Sequence, residues 1–471
     1  MLLLYAGIII TILAENRNPS KSLAYILVLV FLPVIGLVVY YFVGRKPLFK
    51  RPVFQKKRLM DRENMRRFYK QLKPQMEERL QLLQKNIGDK SYPFHYLYLQ
   101  NQSLISTGNA VTLLSNGEEK FPALFGALER ATEHIHIEYY IFTADDVGNR
   151  IADILIKKKT EGVAVRVIVD DVGSNGIKDI PKRLRRAGIP VAKTLPVAFT
   201  SLANSNYRNH RKIVVIDGEV AFIGGINLDE RYWNNGKHKL FWRDAAVCIK
   251  GPAVNLLQAQ FFLSWAFAAG TDDYGDDERY FKKEPKNRGD AIVAIAASGP
   301  SSDAPFVMET ILLAISQAEK TVRICTPYFI PTAPLTTALE IAAARGIAVE
   351  LMLPEKSDSF VVQHASFSFI KPLLQRGVKI YLYQKGFLHA KTISIDGTLA
   401  FVGTVNMDAR SFYLNFEITA VIYEAAFCQA VEESFALDKR SSRLVTLQQW
   451  ESRPVLQRGF DSVCRLLAPL L

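Results

Sequence analysis

Two stretches of the 471-residue chain carry the residue types that act on a phosphate ester. His210, Lys212 and Asp217 form the pattern H-x-K-x4-D, with Asn227 behind them. His389, Lys391 and Asp396 repeat it 179 residues later, with Asn406 behind. Composition arithmetic supplies only about 0.02 copies of such a pattern by chance, so the pair marks a duplicated unit. Two imidazoles and two ammonium groups brought together suit a phosphate diester. Each lysine sets a fixed positive charge against a nonbridging oxygen, and Asn227 and Asn406 have amide hydrogens for the same oxygens. One imidazole attacks phosphorus while the other protonates the leaving alkoxide. The lysines bring the charge that a metal would, so this chemistry calls for no metal and no cofactor. The nucleophile must be neutral and the acid protonated, so each histidine needs an orienting partner. The candidates are Asp244 in FWRDAAVCI and Glu417 in LNFEITAVI, 34 and 28 residues after His210 and His389. The plainer reading of Asp244 is a salt bridge within the sheet, near Arg243.

The elements that must position these residues are hairpins. The β-branched run Ile213 to Ile216 reads as a strand, and period two puts His210 and Lys212 on one face. Asp217-Gly218 is a turn signal, and Val220 to Ile223 is the returning strand. His389, Lys391, Asp396-Gly397 and Leu399 to Val402 read alike. Asp217 and Asp396 complete the catalytic pattern but fall at the turn, where their expected work is mainly structural. Helix-then-strand segments surround both hairpins. Leu124 to Phe142, Gly148 to Lys159 and Val163 to Asp170 are answered by Met308 to Phe329, Leu335 to Ala344 and Ile347 to Leu353. The polar stretch Thr271 to Asp290 divides the halves. Pro196 to Asn209 is extra in the first half and reads as a loop over the site.

The N-terminus supplies context. Met1 to Ala14 and Leu23 to Val43 carry no charged side chain. The second run, roughly 31 Å as a helix, is long enough to span a bilayer; the first, roughly 21 Å, is short. Pro33 and Gly36 are tolerated inside such a helix. From Arg45 to Lys90 there are 15 Lys and Arg against 5 Asp and Glu, a net of +10, out of +13 for the whole chain. The positive-inside rule puts the rest of the chain in the cytoplasm. Met65, Phe68, Tyr69, Leu72, Met76, Leu80, Leu83 and Ile87 recur at helical spacing. They make either a linker helix packed on the body or a basic helix lying on anionic lipid. A membrane anchor turns this charge toward lipid rather than nucleic acid. The four cysteines show no C-x-x-C spacing and fit a reducing compartment. His134 and His136 alternate on a strand. With Glu138 they either edge the site or make a hydrogen-bonded face, the latter favoured. Tyr139, Tyr140, Tyr328 and Phe329 read as core or acyl-chain groove.

The two motif copies with Gly and Asn behind them resemble the phospholipase D superfamily. DDVGS (Asp170 to Ser174), TPYFIP (Thr326 to Pro331), GFLHAKT (Gly386 to Thr392) and RSFYLNFE (Arg410 to Glu417) narrow the resemblance to bacterial cardiolipin synthases of the phospholipase D type, over nearly the whole chain. The resemblance implies an α/β fold of two duplicated phospholipase D-like α/β sandwich domains, with mixed sheets and a pseudo-two-fold interface, preceded by an N-terminal transmembrane segment. It divides the chain into a membrane segment (1–44), a basic linker (45–100) and two domains (101–287 and 288–471). It implies metal-independent transfer between two phosphatidylglycerols, giving cardiolipin and glycerol through a phosphatidyl-histidine, at the inner face of a bacterial cell membrane. By analogy His210 is the nucleophile and His389 the acid. Where the family often has Ser after the motif Gly, this chain has Gly225 and Thr404. Thr404 keeps a hydroxyl for the phosphate with Asn227 and Asn406, while the first half leans on backbone amides. Three other readings stand beside this one. They are a membrane phospholipase D using water or another alcohol, a non-catalytic binder of anionic phospholipid, and a nuclease. Retention of both His-Lys pairs argues against the binder, and a membrane span against the nuclease. Oligomeric state is open.

Overall fold

The computed structural model describes residues 2–14, 19–31, 33–39, 76–100, 103–174, 179–196, 207–273, 278–282 and 286–468. Among the described residues, fifteen strands join in one sheet. The first half contributes β1 (Ser106–Ser115), β2 (His134–Tyr139), β3 (Ala164–Asp170), β4 (Val191–Thr194), β5 (Lys212–Ile216), β6 (Val220–Gly224) and β7 (Ala245–Lys250). The second contributes β8 (Ala291–Ser298), β9 (Thr321–Cys325), β10 (Ala348–Pro354), β11 (Lys379–Tyr383), β12 (Thr392–Ile395), β13 (Leu399–Gly403), β14 (Glu417–Tyr423) and β15 (Ser442–Val445).

The duplication is legible in the strand order. From the middle outward it runs β1-β7-β6-β5-β2-β3-β4 on one side and β8-β14-β13-β12-β9-β10-β11 on the other, with β15 added at the second edge. Both halves are mixed. β2, β3 and β4 are parallel, as are β9, β10 and β11, and the strands nearer the middle are antiparallel. The halves are not two separate sheets. β1 pairs with β8 through Ser106–Val293 and Asn109–Ala291, so the two sheets become one. Strand period two decides which side chains face which helices. Ile213 and Val215 of β5 pack on Val254 and Leu257 of the helix Val254–Ala269. Val214 and Ile216 face the opposite side, with Leu124 and Ile151 of the helices Asn116–Glu129 and Asp146–Thr160.

The motif aspartates fall where the hairpins turn. Asp217 and Gly218 have φ of 53° and 63°, Asp396 and Gly397 54° and 63°. Two successive left-handed residues are the mark of a type I′ turn, whose twist matches that of the flanking strands. The Asp217 carboxylate accepts from the backbone N–H groups of Thr132, Glu133 and His134, each at 2.8 Å. Asp396 does the same for Glu319, Lys320 and Thr321, at 3.0, 2.7 and 2.8 Å, and Lys90 adds an ion pair at 3.2 Å. Each aspartate thus pins its hairpin to the start of the neighbouring strand. Both lie seven residues from their histidines, roughly 20 Å along an extended chain. Their place in the catalytic pattern is therefore corrected: they position the strand and do not reach the reacting groups.

The expected N-terminal span is described only in part, since residues 32 and 40–43 lie outside the described residues. The expected span Leu23 to Val43 is broken into the helices Pro19–Phe31 and Pro33–Val39, after a first helix Leu2–Ala14. Pro33 has no N–H and opens a new helix instead of continuing the old one. Gly36 then approaches Leu29 so closely that a Cβ would lie 2.6 Å from its Cα. No helix among the described residues is long and apolar enough to cross a membrane. Most of the basic segment, with Met65, Phe68, Tyr69 and Leu72, lies outside the described residues. Its end does not. Residues 76–87 are helical, and Met76, Leu80 and Leu83 are buried in the core with Phe94 and Leu97, so this part is packed on the body.

Replacing Asp217 with Ala should lower the free energy of unfolding by about 2–4 kcal/mol, the cost of three charge-assisted acceptor bonds partly offset by water. A urea melt followed by circular dichroism measures it, and Asp217→Asn, which keeps one acceptor oxygen and tolerates the left-handed turn, should recover part of the loss. An unchanged midpoint for Asp217→Ala would mean that the turn does not depend on this carboxylate.

Candidate active site

The backbones ahead of the two histidines are laced across the middle of the molecule. His210 N donates to Phe416 O at 3.0 Å, and Phe416 N to Arg208 O at 2.8 Å. His389 N donates to Arg243 O at 2.7 Å, and the two-residue strand Phe387–Leu388 runs parallel to Trp242–Arg243. Each motif is thus seated against the strand leading into the other half's candidate carboxylate.

This crosses the expected pairs. Spacing along the chain matched Asp244 to His210 and Glu417 to His389. The structure instead sets His210 Nδ1 at 3.0 and 3.1 Å from the two Glu417 oxygens, and His389 Nδ1 at 2.6 Å from Asp244 Oδ2. The carboxylates can only accept, so Nδ1 carries the proton in both rings and Nε2 keeps its lone pair. The plainer reading of Asp244 fails. Arg243 turns to Asp438, with Nε 2.8 Å from both carboxylate oxygens, and leaves Asp244 to the histidine.

The supports of the two carboxylates differ. Thr404 is buried and its hydroxyl donates to Glu417, while Ile418 N donates back to that hydroxyl at 3.0 Å. Asn415 Nδ2 reaches the other Glu417 oxygen at 3.3 Å. Thr404 therefore holds the carboxylate and is not free for a phosphate, which corrects that expectation. At the matching place in the other half, a Cβ on Gly225 would lie 2.2 Å from Asp244 Oδ1. The carboxylate fills the space a side chain would need, and its Oδ1 accepts from Ala245 N at 2.7 Å.

Lys212 and Lys391 stand two residues after their histidines and are almost wholly buried. Lys212 Nζ donates to the His210 carbonyl at 2.7 Å, and Lys391 Nζ to that of His389. Burial, opposed by the charge of Glu417 and aided by that of Lys391, brings Lys212 down to about 7. Lys391 is brought down to about 8, mainly by burial. Burial also lowers both histidines, and takes His389 down to about 3 despite Asp244. The rings around His389 explain this: Tyr232, Trp242 and Phe387 lie 5.6, 5.5 and 5.6 Å from it, centre to centre. His210 has Tyr140, at 5.2 Å. Glu417 and Asp244 are held below the usual carboxylate range: although burial raises both, their interactions with the histidines and lysines and the hydrogen bonds they accept outweigh it. The site therefore holds neutral imidazoles, ionised carboxylates and lysines that are only partly charged near neutral pH.

Asn227 and Asn406 are buried beside these groups but are engaged differently. Asn227 Nδ2 donates to Tyr232 Oη at 2.8 Å and its Oδ1 accepts from Ile141 N at 3.3 Å. Asn406 Oδ1 makes no hydrogen bond among the described residues. His134 and His136 do not edge the site. They lie buried under the helix Val254–Ala269, sharing Gln258, and His136 stacks on Phe261 at 4.6 Å. Tyr139 and Phe329 are core; Tyr328 Oη reaches Asp358 at 2.9 Å. Asn415 went unnoticed in the sequence, although it stands two residues before Glu417 and so shares its face. The buried Lys120 was also missed. It donates to Ile226 O at 2.6 Å and to Tyr139 Oη at 2.9 Å, bracing the turn that carries Asn227. Of the loop expected over the site, Pro196 to Asn209, residues 197–206 lie outside the described residues.

Lysines lowered to about 7 and 8 must take up protons when an anion enters between them, because the bound negative charge restores their ordinary preference for the charged form. Sulfate, which does not itself titrate here, should therefore bind at pH 8 with uptake of about one to two protons per site, and about one fewer at pH 6. Calorimetry in buffers of different ionisation enthalpy measures this. Equal uptake at the two pH values would show that the lysines are already charged in the empty site.

Comparison with known proteins places the chain in a family. The family described as "Cardiolipin synthase, PLD-like domain" matches residues 124–263 and 311–439, and "Phospholipase_D-nuclease N-terminal" matches residues 3–45. A cardiolipin synthase of Oceanobacillus iheyensis is 37% identical, over 98% of this chain and 95% of that one. One from Geobacillus is 38% identical, over 97% and 90%. Among solved structures, the phosphatidylserine synthase of Haemophilus influenzae shares the fold, with a TM-score of 0.59 at 14% identity over 76% of this chain and 93% of that one. The duplicated sheet, the paired motifs and this near full-length similarity lead to one conclusion: the chain belongs to the family of cardiolipin synthases built from phospholipase D-like domains.

Proposed function

We propose that the chain is a cardiolipin synthase, a phosphatidyltransferase that joins two phosphatidylglycerols into cardiolipin and releases glycerol. The observation that carries the reading is the crossed pair of histidine–carboxylate bonds, set beside two buried lysines. In this reading His210 Nε2 attacks phosphorus of the first phosphatidylglycerol. The bond from phosphorus to the glycerol headgroup oxygen breaks, and His389 Nε2–H gives that oxygen its proton. A hydroxyl of the second phosphatidylglycerol then loses its proton to His389 and attacks phosphorus. The phosphorus–nitrogen bond breaks, and cardiolipin forms with His210 restored. Lys212 and Lys391 hold the nonbridging oxygens, helped by Asn406 and by Asn227 once it leaves Tyr232. Glu417 keeps His210 in the tautomer that attacks. Asp244 steadies the imidazolium of His389, which needs the bound phosphodiester's charge because burial discourages it in the empty site. A site this enclosed favours a lipid hydroxyl over water as second acceptor.

The enzyme works at the cytoplasmic face of a bacterial membrane, with residues 101–287 and 288–471 as its two halves and the net positive charge of the segment before them drawn to anionic lipid. Phosphatidylglycerol, cardiolipin, glycerol and anionic lipid are its expected partners.

Purified protein in phosphatidylglycerol vesicles with chelator should yield cardiolipin and glycerol in equal amounts. Phosphatidic acid with glycerol would make it a hydrolase, and no turnover of any phospholipid would end the reading. His210→Ala and His389→Ala should each abolish product. The crossed bonds add a sharper expectation. Glu417→Gln should slow formation of the covalent phosphatidyl-enzyme by about 10²–10⁴-fold, through loss of the attacking tautomer. Asp244→Asn should slow headgroup departure by a similar factor, and for donors with a good leaving group that loss should shrink. Rapid-quench kinetics on the two variants would separate these, and the reverse assignment would exchange the roles of the histidines.

A further inference from the structure

The helix Val455–Leu466 is docked the wrong way round for a helix of its pattern. At 100° per residue, Val455, Leu456, Phe460, Val463, Leu466 and Leu467 fall within an arc of roughly 140°. An apolar arc of that width normally faces a core. Here these six side chains are between 41% and 78% exposed. The helix is held instead by its polar edge. Asp461 and Cys464 are the buried positions. Asp461 Oδ1 accepts from His364 Nδ1 at 2.7 Å, and Oδ2 pairs with Arg453 at 2.9 Å. Arg465 lies 4.6 Å over the Phe369 ring. The apolar arc continues onto the neighbouring helix Phe360–Phe367, where Phe360 is 62% exposed and its ring lies 6.2 Å from that of Phe460. Arg458 and Arg465 flank the other margin of the arc.

Two features say what covers this face. Cationic side chains beside an apolar arc match a surface of anionic headgroups over acyl chains. The patch also adjoins the reaction site. Phe360 stands two residues after Asp358, whose carboxylate accepts from Tyr328 Oη at 2.9 Å, and the charge of Asp358 is felt at Lys391.

We propose that the helix Val455–Leu466, with Phe360 beside it, lies in the headgroup region of an anionic bilayer and seats the rim of the second-half motif against the lipid. This rests on the lipid substrate proposed above. It gives the chain a lipid contact at its C-terminal end, separate from the apolar N-terminal helices. Substrate headgroups then enter the site from the surface on which the helix lies.

The test uses the full chain with Cys248→Ser and Val463→Cys, labelled with an environment-sensitive fluorophore and mixed with phosphatidylglycerol vesicles. Emission should shift to the blue, brominated lipid should quench it, and aqueous iodide should not. A Val463 label that iodide still reaches in the presence of vesicles overturns the proposal. So does a label already shielded without lipid, which would point to a second copy or to residues 40–75 of the same chain. Leu456→Asp, Val463→Asp and Leu466→Asp together should cut cardiolipin formation on vesicles by about ten-fold, with turnover of a short-chain, monomeric phosphatidylglycerol unchanged; equal loss on both substrates counts against docking. If the transferase reading fails, the quenching still reports docking. If cardiolipin forms while the label stays in water, docking alone has failed.

Discussion

The structure depends on bringing six ionisable groups, two imidazoles, two carboxylates and two ammonium groups, into one place nearly shut off from water. None of them is tolerable there alone. A buried lysine sheds its proton and a buried carboxylate takes one up, unless opposite charge stands near. Each group here is answered by another, and the answers run between the halves: His210 to Glu417, His389 to Asp244. Neither motif histidine finds its carboxylate in its own half. The continuous sheet, the β1–β8 pairing and the laced backbone bonds ahead of each histidine serve this requirement. They fix two loops from distant parts of the chain to within a hydrogen bond.

The motifs, the hairpins and the order of helices and strands were legible because they are local. Period two, the Asp-Gly turns and the β-branched runs are written residue by residue, and the observed strands fall within a residue or two of the expected ones. The crossing was not legible. Both carboxylates were found, but distance along the chain says nothing about which half's loop a strand will meet. Thr404 was misread for a related reason. A hydroxyl beside a phosphate motif invites a ligand, and only the packing shows it spent on Glu417. At the N-terminus hydropathy favoured one long helix, whereas Pro33 and the close approach of Gly36 to Leu29 break it.

The two centres have the same plan and different parts. His210 has a long carboxylate, held by a hydroxyl and an amide, with one aromatic neighbour. His389 has a short one, wedged against Gly225 and a backbone N–H, and is walled by three rings. Burial among these rings, with the charge of Lys391, presses His389 away from its charged form. A symmetric scaffold thus supplies two histidines in unlike surroundings.

The crossing has a consequence for descent. A bond from one half to the other, repeated about a pseudo-two-fold axis, is an isologous contact, and it works equally well between two separate copies of a single half. A chain half this long could have formed the same constellation as a homodimer, with both centres obliged to be identical. Joining the copies in one polypeptide lifted that obligation. Glu417 with Thr404, against Asp244 with Gly225, is the divergence that such freedom permits.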